Sequence, residues 1–334
     1  MASFDYNLLH REVERSLALS QYPHRRLVML HSGVTIGLGL VVSLLGYLLD
    51  LGIAQTGGLG GIGTRTILET VQSILQLAHT ALLPFWAIGY TFALLCWLGG
   101  EQPYPGDLLQ GFRRFGPVLR LQILRGALLI GLGFLGAYIG SAVFLLTPGA
   151  ETFYEIMQLM QQMSPQQLQD PQVLMQSQAY MDLTVMMTPY ILVAAALMVI
   201  PFAYRLRFAD YVLMDTPRGG GLYALLKSWH LTRKKCGMLL KLDLHFWWYH
   251  LAGLLIAAVA YGDVLLSMAG VNLGIDEVGA MFAFYIVALV LEFALHIWKK
   301  NQVFAVYGLA YRLLETPDAP EEAPRTEPKR VPWD

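Results

Sequence analysis

The sequence predicts an all-α, polytopic membrane protein with six transmembrane helices, and three observations support this class. The chain of 334 residues is 55% hydrophobic and only 14% charged, whereas soluble proteins carry about 25% charged residues. Six stretches are apolar over a length that can cross a bilayer as a helix. Of the 23 Lys and Arg residues, 22 fall on one side of the path that these six stretches define.

The six predicted spans are 27–49, 70–98, 120–146, 188–212, 239–268 and 279–300. Backbone amides in hydrocarbon must be satisfied within the protein, and the alternation typical of transmembrane strands is not visible, so these spans are predicted to be helices. The first apolar run begins after 26 mostly polar residues. It is too long and too late for a signal peptide, and we interpret it as an uncleaved span.

The distribution of positive charge predicts the orientation of the chain. Cytoplasmic loops collect Lys and Arg, and only Arg65 falls in a loop assigned to the opposite face. We therefore expect a multi-pass protein of the plasma membrane with both termini in the cytoplasm. Residues 1–26 are expected to form a cytoplasmic amphipathic segment, residues 27–312 the membrane domain, and the proline-rich residues 313–334 a disordered cytoplasmic tail.

Short amphipathic segments precede the odd-numbered spans, at about 4–20, 107–119 and 219–237. In the last of these, four apolar side chains share one helical face: Leu222, Leu225, Leu226 and Trp229. A helix of this kind lies in the membrane interface with its basic groups toward anionic head groups. The predicted lipid contacts are Lys227, Arg233, Lys234 and Lys235, with Arg113 and Arg114 from the second segment.

An internal repeat is predicted from two pairs of similar motifs. Pro84-Phe85 and Pro201-Phe202 are 117 residues apart, and so are the segments 108–112 and 225–229. This offset predicts pseudo-repeats of two spans, at about 1–102, 103–217 and 218–312, of which the third is inferred from layout alone. Between the third and fourth spans, residues 149–187 are expected to form an extracytoplasmic helical hairpin around a proline break.

Glycines spaced four residues apart occur in two of the predicted spans. Gly33 and Gly37 lie in the first span, and Gly136 and Gly140 lie in the third. Small residues at this spacing permit close approach of membrane helices. We therefore expect both pairs to mark helix-packing faces.

Ionisable residues at membrane depth are functional candidates. The predicted intramembrane cluster comprises Asp243, His245, His250, Glu292 and His296. Because the fifth and sixth spans are entered from the same basic side, His245, Glu292 and His296 should lie at similar depth. Three alternatives remain open for this cluster: a hydrogen-bonded helix contact, a proton or ion pathway, and a divalent-metal site. Separately, Arg207 and Asp210 are three residues apart and are expected to form an ion pair.

Several catalytic motifs are absent from the sequence. It contains no Gly-x-x-x-x-Gly-Lys-Ser/Thr loop, no His-Glu-x-x-His and no Gly-x-Ser-x-Gly. We therefore expect no catalytic residues and no cofactor. The favoured function is a non-enzymatic membrane component that binds lipid head groups or a partner at the cytoplasmic leaflet; the alternatives are a small-solute or ion-coupled transporter and a metal-dependent membrane hydrolase. The expected partners are membrane lipids, or else other membrane proteins, and not nucleic acid.

Two motifs resemble a known family. Residues 209–217 read Ala-Asp-Tyr-Val-Leu-Met-Asp-Thr-Pro, and residues 242–248 read Leu-Asp-Leu-His-Phe-Trp-Trp. With the intervening Ala-Leu-Leu-Lys-Ser at 224–228, they resemble the bacterial integral-membrane family called domain of unknown function 975. Residues 232–236 depart from that family's usual Met-Lys-Gly-x-Lys. The layout is also similar to the membrane region of some glycerophosphodiester phosphodiesterases. The resemblance implies six spans in a bacterial plasma membrane and implies no activity.

Overall fold

The computed structural model describes residues 24–55, 62–163, 178–262 and 277–315, together with residues 11, 13 and 266. Its helices are α1 (His24–Gln55), α2 (Ile62–Leu98), α3 (Gln110–Arg113), α4 (Phe115–Phe144), α5 (Ala150–Gln162), α6 (Gln178–Arg205), α7 (Ala209–Asp215), α8 (Gly220–Thr232), α9 (Cys236–His245), α10 (Trp247–Ala260), α11 (Glu277–Leu295) and α12 (Asn301–Glu315). Short 3₁₀ turns precede α3 and α8, and a π turn at His296–Lys300 joins α11 to α12. No strand occurs among these described residues, so the all-α prediction is confirmed.

Five stretches are long and apolar enough to cross a membrane, and a bent pair of helices raises the number to six if it counts as one span. The five are Arg25–Leu49, Thr64–Leu98, Phe115–Phe144, Tyr180–Asp215 and Met281–Glu315. The chain is therefore a multi-pass membrane protein. The predicted amphipathic segment at 1–26 and the tail beyond residue 315 lie almost wholly outside the described residues.

The predicted fifth span, 239–268, is not one straight helix. Helices α9 and α10 are bent by 67° at Phe246, whose φ of −102° and ψ of 20° leave the helical region. The 14 residues of α10 rise about 21 Å at 1.5 Å per residue, which falls short of a hydrocarbon core of about 30 Å. Within the described ranges, a sixth crossing is counted when α9 and α10 are taken together as one span.

The predicted sixth span also differs, because the helix does not end at residue 300. It continues through the π turn and α12 to Glu315, and four buried side chains attach α12 to the rest of the bundle: Val306, Tyr307, Ala310 and Tyr311. Residues 313–315, assigned to a disordered tail from the sequence, therefore belong to a helix. Lys300, which the sequence places at the end of a span, lies in the middle of a long helical segment.

Glycine spacing correctly predicts one tight helix pair and fails at another. Helices α4 and α6 run antiparallel, and a Cβ atom on Gly136 would lie 2.5 Å from the Cα of Ala195, while one on Gly140 would lie 2.6 Å from the carbonyl oxygen of Tyr190. In α1, by contrast, Gly33 has its nearest neighbour at 4.0 Å and Gly37 has none within 4 Å. Small residues permit close helix contact but do not impose it.

Of the three buried clusters among the described residues, the smallest and the largest include opposite ends of helix α4. The smaller joins Phe144 of α4, Ile156 of α5 and Leu183 of α6. The first helix of the hairpin expected at 149–187 is therefore present as α5. Leu183, expected in the second helix of the hairpin, belongs to the long helix α6, and residues 164–177 lie outside the described residues. The larger cluster joins α2, α7, α8, α9 and α12, with Phe92, Phe208, Leu213, Leu242 and Tyr311 among its members. We call this second end the basic end, because it also holds most of the described Arg and Lys residues.

Candidate functional site

Polar side chains that are distant in the sequence converge at the basic end. Asp243, just before the bend between α9 and α10, accepts hydrogen bonds from Arg207 at 2.5 Å and from the hydroxyl of Tyr307 at 2.5 Å. The hydroxyl of Tyr204 donates to the same carboxylate. Three donors from α6, the segment after α6, and α12 thus surround one acid of the broken helix. The bend presents Asp243 to all three.

The predicted ion pair between Arg207 and Asp210 is wrong. Arg207 pairs with Asp243, and Asp210 pairs with Arg125 of α4 at 2.8 Å. The expectation assumed one continuous helix over 188–212, but residues 206–208 form a turn between α6 and α7. Because i, i+3 neighbours face each other only on a regular helix, the break directs the two side chains to different partners.

Beside this network lies a cavity of about 400 Å³. Its walls come from α1, α2, the α6–α7 region, α10, the π turn and α12. Four tyrosines line it, together with six ionisable side chains: His31, Arg207, Asp210, His250, His296 and Lys300. Ligand cavities in proteins are commonly of this size and carry a few convergent polar groups on a largely apolar wall.

A second cavity, of about 360 Å³, adjoins the first between α10 and α11. Tyr249, His250 and His296 line both cavities, and Glu292 lines the second. The carboxylate of Glu292 lies 3.8 Å from Nε2 of His296, one helical turn away. The two cavities therefore meet at shared histidine side chains.

The predicted cluster is only partly assembled. His250 approaches the hydroxyl of Tyr307 at 3.4 Å, which connects it to the Asp243 network. His245, in contrast, is exposed, packs edge-on against Phe246 and lines neither cavity. It was expected to share a depth with Glu292 and His296, but those two line the second cavity without it. Within the described parts of the chain, no three His, Cys, Asp or Glu residues are placed to hold a metal ion, so the divalent-metal alternative lacks a ligand set there.

The sequence did not identify His31, Tyr90 and Lys300 as site residues. Nζ of Lys300 lies 3.2 Å from Nδ1 of His31, and it sits over the rings of Tyr90 and Phe304 at 5.5 and 5.9 Å from their centroids. The Tyr90 hydroxyl donates to Asn301 at 2.5 Å. Signals existed for two of them: His31 interrupts an apolar run, and Lys300 is followed by apolar residues at helical spacing.

The predicted lipid contacts divide into buried and exposed groups. Arg114 is only 5% exposed and donates to the carbonyl oxygen of Met214 at 2.8 Å, so it does not reach a head group. Burial lowers the pKa of Arg114, although an Arg guanidinium remains charged in proteins. Lys227 pairs with Glu315 at 2.5 Å. Arg113 and Lys235 are half-buried, whereas Arg233 and Lys234 are exposed to the surroundings of the protein.

No protein-family model, curated protein or solved structure matches this chain. The resemblance to domain of unknown function 975 therefore stays a prediction.

Proposed function

We propose that the chain is a non-enzymatic membrane component that binds anionic lipid head groups at its basic end, through α8 and the turn that follows it. The observation that supports this is the division of α8 into two faces. Leu225 is buried, whereas Leu222 and Leu226 are 59% and 62% exposed. Arg233 lies seven residues beyond Leu226, on the same side of the helix, and is exposed beside Lys234.

This arrangement suits a helix that lies in the membrane interface. Its exposed leucines can enter the apolar region while long basic side chains extend to the phosphates of the head groups. The inner face fixes the helix in place: Ser228 donates to the carbonyl oxygen of Arg205 at 2.9 Å and accepts from the backbone N–H of Phe208 at 3.1 Å. The exposed face of α8 is therefore held in a defined position on the bundle.

The double variant Arg233→Gln/Lys234→Gln should bind anionic lipid more weakly. Each basic residue near an anionic surface contributes about 1 kcal/mol, so the loss of two should reduce enrichment of phosphatidylglycerol around the protein by about thirtyfold. The measurement is lipid enrichment in nanodiscs of mixed phosphatidylglycerol and phosphatidylcholine. The effect should fade at high salt, which screens exposed charges.

Two single variants serve as controls for that experiment. Lys227→Gln removes a cation that is already paired with Glu315, and Arg65→Gln removes one that pairs with Glu69 within α2, away from the basic end. Neither should change lipid enrichment appreciably. Equal enrichment in the double variant and in the unaltered protein would reject this function.

The second candidate, a small-solute or ion-coupled transporter, is favoured by the two adjoining cavities. They share His250 and His296 and extend along α10 and α11, and the π turn beside them is a distortion often found at functional sites. Proteoliposomes loaded with a pH-sensitive dye test this candidate. A proton or solute flux that Glu292→Ala abolishes would favour it, and absence of flux in the unaltered protein would remove it.

The orientation, with both termini in the cytoplasm of a bacterial cell, is also a proposal, supported by the one-sided distribution of Arg and Lys. A membrane-impermeant maleimide should label Arg65→Cys in intact cells and Arg218→Cys only after permeabilisation. The background needs Cys236→Ser, because Cys236 is partly exposed while Cys96 is buried. The reverse labelling pattern would contradict the orientation.

The pseudo-repeats are likewise a proposal, which two equivalent aromatic contacts support. Phe85 stacks on Phe112 with ring centroids 5.6 Å apart, and Phe202 packs on Trp229 at 5.3 Å. Both members of the second pair lie 117 residues after those of the first. An experimental structure in which residues 84–112 and 201–229 fail to superpose would reject the repeat.

A further inference from the structure

We infer that the cavity beside Lys300 is a binding site for a phosphate-class oxyanion, which goes beyond lipid contact through α8. Lys300 is 7% exposed, and no described carboxylate forms a close ion pair with its ammonium group, since Glu292 pairs with His296 and acts on Lys300 only at longer range. Burying an ammonium group without a counter-charge is costly. An anion in the adjoining cavity would supply the charge that the described side chains do not.

The hydrogen bond between Lys300 and His31 fixes which nitrogen of the imidazole carries a proton. A Lys ammonium can only donate, so Nδ1 of His31, at 3.2 Å, must be the acceptor. A neutral imidazole then has its hydrogen on Nε2. That Nε2 is buried without a partner, in a residue only 4% exposed. Lys300 and His31 both line the cavity, and among the contacts of the described residues neither donates to an oxygen acceptor.

The other charged groups in the cavity wall are largely neutralised by their own partners. Arg207 is paired with Asp243, and Asp210 is paired with Arg125 through Oδ2. Lys300 therefore has no close ion-pair partner among the described side chains of this wall, and Glu292 of the second cavity attracts it only at longer range. The aromatic faces of Tyr90 and Phe304 attract an ammonium ion, but a ring face offers no oxygen acceptor to either Lys300 or His31.

Two more buried polar atoms without hydrogen-bond partners indicate which chemical groups the ligand should carry. Oδ1 of Asp210 and Nδ1 of His296 are buried without partners in the same wall. Asp210 can accept a hydrogen bond from a ligand hydroxyl, while Lys300 and His31 donate to anionic oxygens. Hydrogen phosphate carries both groups, and so does a phosphate ester with a neighbouring hydroxyl, such as a glycerol phosphate head group. The cavity of about 400 Å³ has room for either.

The first test titrates the full-length protein, purified in uncharged detergent, with inorganic phosphate or with short-chain phosphatidylglycerol at constant ionic strength. The variant Lys300→Met removes the charge and keeps the length of the side chain. The matched control is Lys299→Met, because Lys299 bonds to Gln302 at 2.6 Å and lines neither cavity. We expect saturable binding that weakens about tenfold in Lys300→Met and is unchanged in Lys299→Met, in line with the loss of one charge-assisted hydrogen bond.

The two ligands distinguish the source of the oxyanion. Binding of inorganic phosphate indicates a small free anion, and binding of phosphatidylglycerol alone indicates a head group; both results support the site. Absence of saturable binding for both ligands, or equal binding by Lys300→Met, would overturn it. Because Arg233 and Lys234 do not line the cavity, their double variant should bind inorganic phosphate normally, so this result is separable from the test of α8.

A second pair of variants decides the matter if Lys300→Met does not fold. Ala87 lines the cavity, so a charge introduced there would lie close to a bound anion. Ala87→Asp adds a negative charge that opposes an anion, and Ala87→Asn has the same shape without the charge. Oxyanion binding about tenfold weaker in Ala87→Asp than in Ala87→Asn is expected, and equal binding by the two would reject the site.

Discussion

Replacing Asp243 with Ala should produce the largest loss of stability in this chain. The change removes the carboxylate that pairs with Arg207, and it leaves the hydroxyls of Tyr204 and Tyr307 without this acceptor. Removing one partner of a buried ion pair costs about 3–5 kcal/mol, because the remaining charge is left uncompensated, and this pair should fall at the lower end because its side chains are 24% and 19% exposed. A lower midpoint of thermal unfolding and poor recovery from size-exclusion chromatography in detergent would measure this loss.

Two further variants separate the charge from the hydrogen bonds. Asp243→Asn keeps an oxygen acceptor for the tyrosines but leaves Arg207 unpaired. Adding Arg207→Met removes that orphan charge, so the double variant should be more stable than Asp243→Asn alone. If the double variant is no more stable than the single one, the ion pair is not what holds the bend between α9 and α10.

Gly89→Ala and Gly111→Ala should each destabilise the junction between α2 and the segment that follows it. A Cβ atom on Gly89 would lie 1.8 Å from the carbonyl oxygen of Leu108, and one on Gly111 would lie 1.9 Å from that of Phe85. Both obstacles are backbone atoms, so the segments would have to move apart. Overpacking of this kind costs about 1–3 kcal/mol, measurable as a lower unfolding midpoint in detergent.

Gly116 provides the matched control for these two glycines. It lies five residues after Gly111, in α4, and a Cβ atom there would meet nothing within 4 Å. Gly116→Ala should therefore be neutral or slightly stabilising, because Ala has the higher helix propensity. Equal losses of stability in Gly111→Ala and Gly116→Ala would show that close approach of the backbone is not the cause.

The sequence predicted the helices of this fold well because their signal is local. Spans such as 70–98 and 120–146 can be recognised from hydrophobic length alone. The interruptions were not predicted. Neither Phe246 nor residues 206–208 contain a proline or glycine, and the helix bends there because distant side chains hold the broken ends in place.

The candidate site was predicted only where a local rule applied. Asp243 and His296 were identified as ionisable residues at membrane depth. The contacts between distant residues could not be predicted. Arg207 is 36 residues from its partner Asp243, and His31 is 269 residues from its partner Lys300. Lys300 was not identified as a site residue, because the charge count had placed it at the end of the last helix. That helix continues past residue 300.

The pairing of cations inside the bundle changes what the charge bias of this sequence means. Five cations are each held by an oxygen acceptor of the fold: Arg114, Arg125, Arg207, Lys227 and Arg312. Positive residues direct topology while helices enter the bilayer, when none of these contacts yet exists. The same residues thus serve biogenesis first and cohesion afterwards, and the electrostatic potential that the mature protein presents to its surroundings depends on the cations outside these contacts, such as the exposed Arg233 and Lys234.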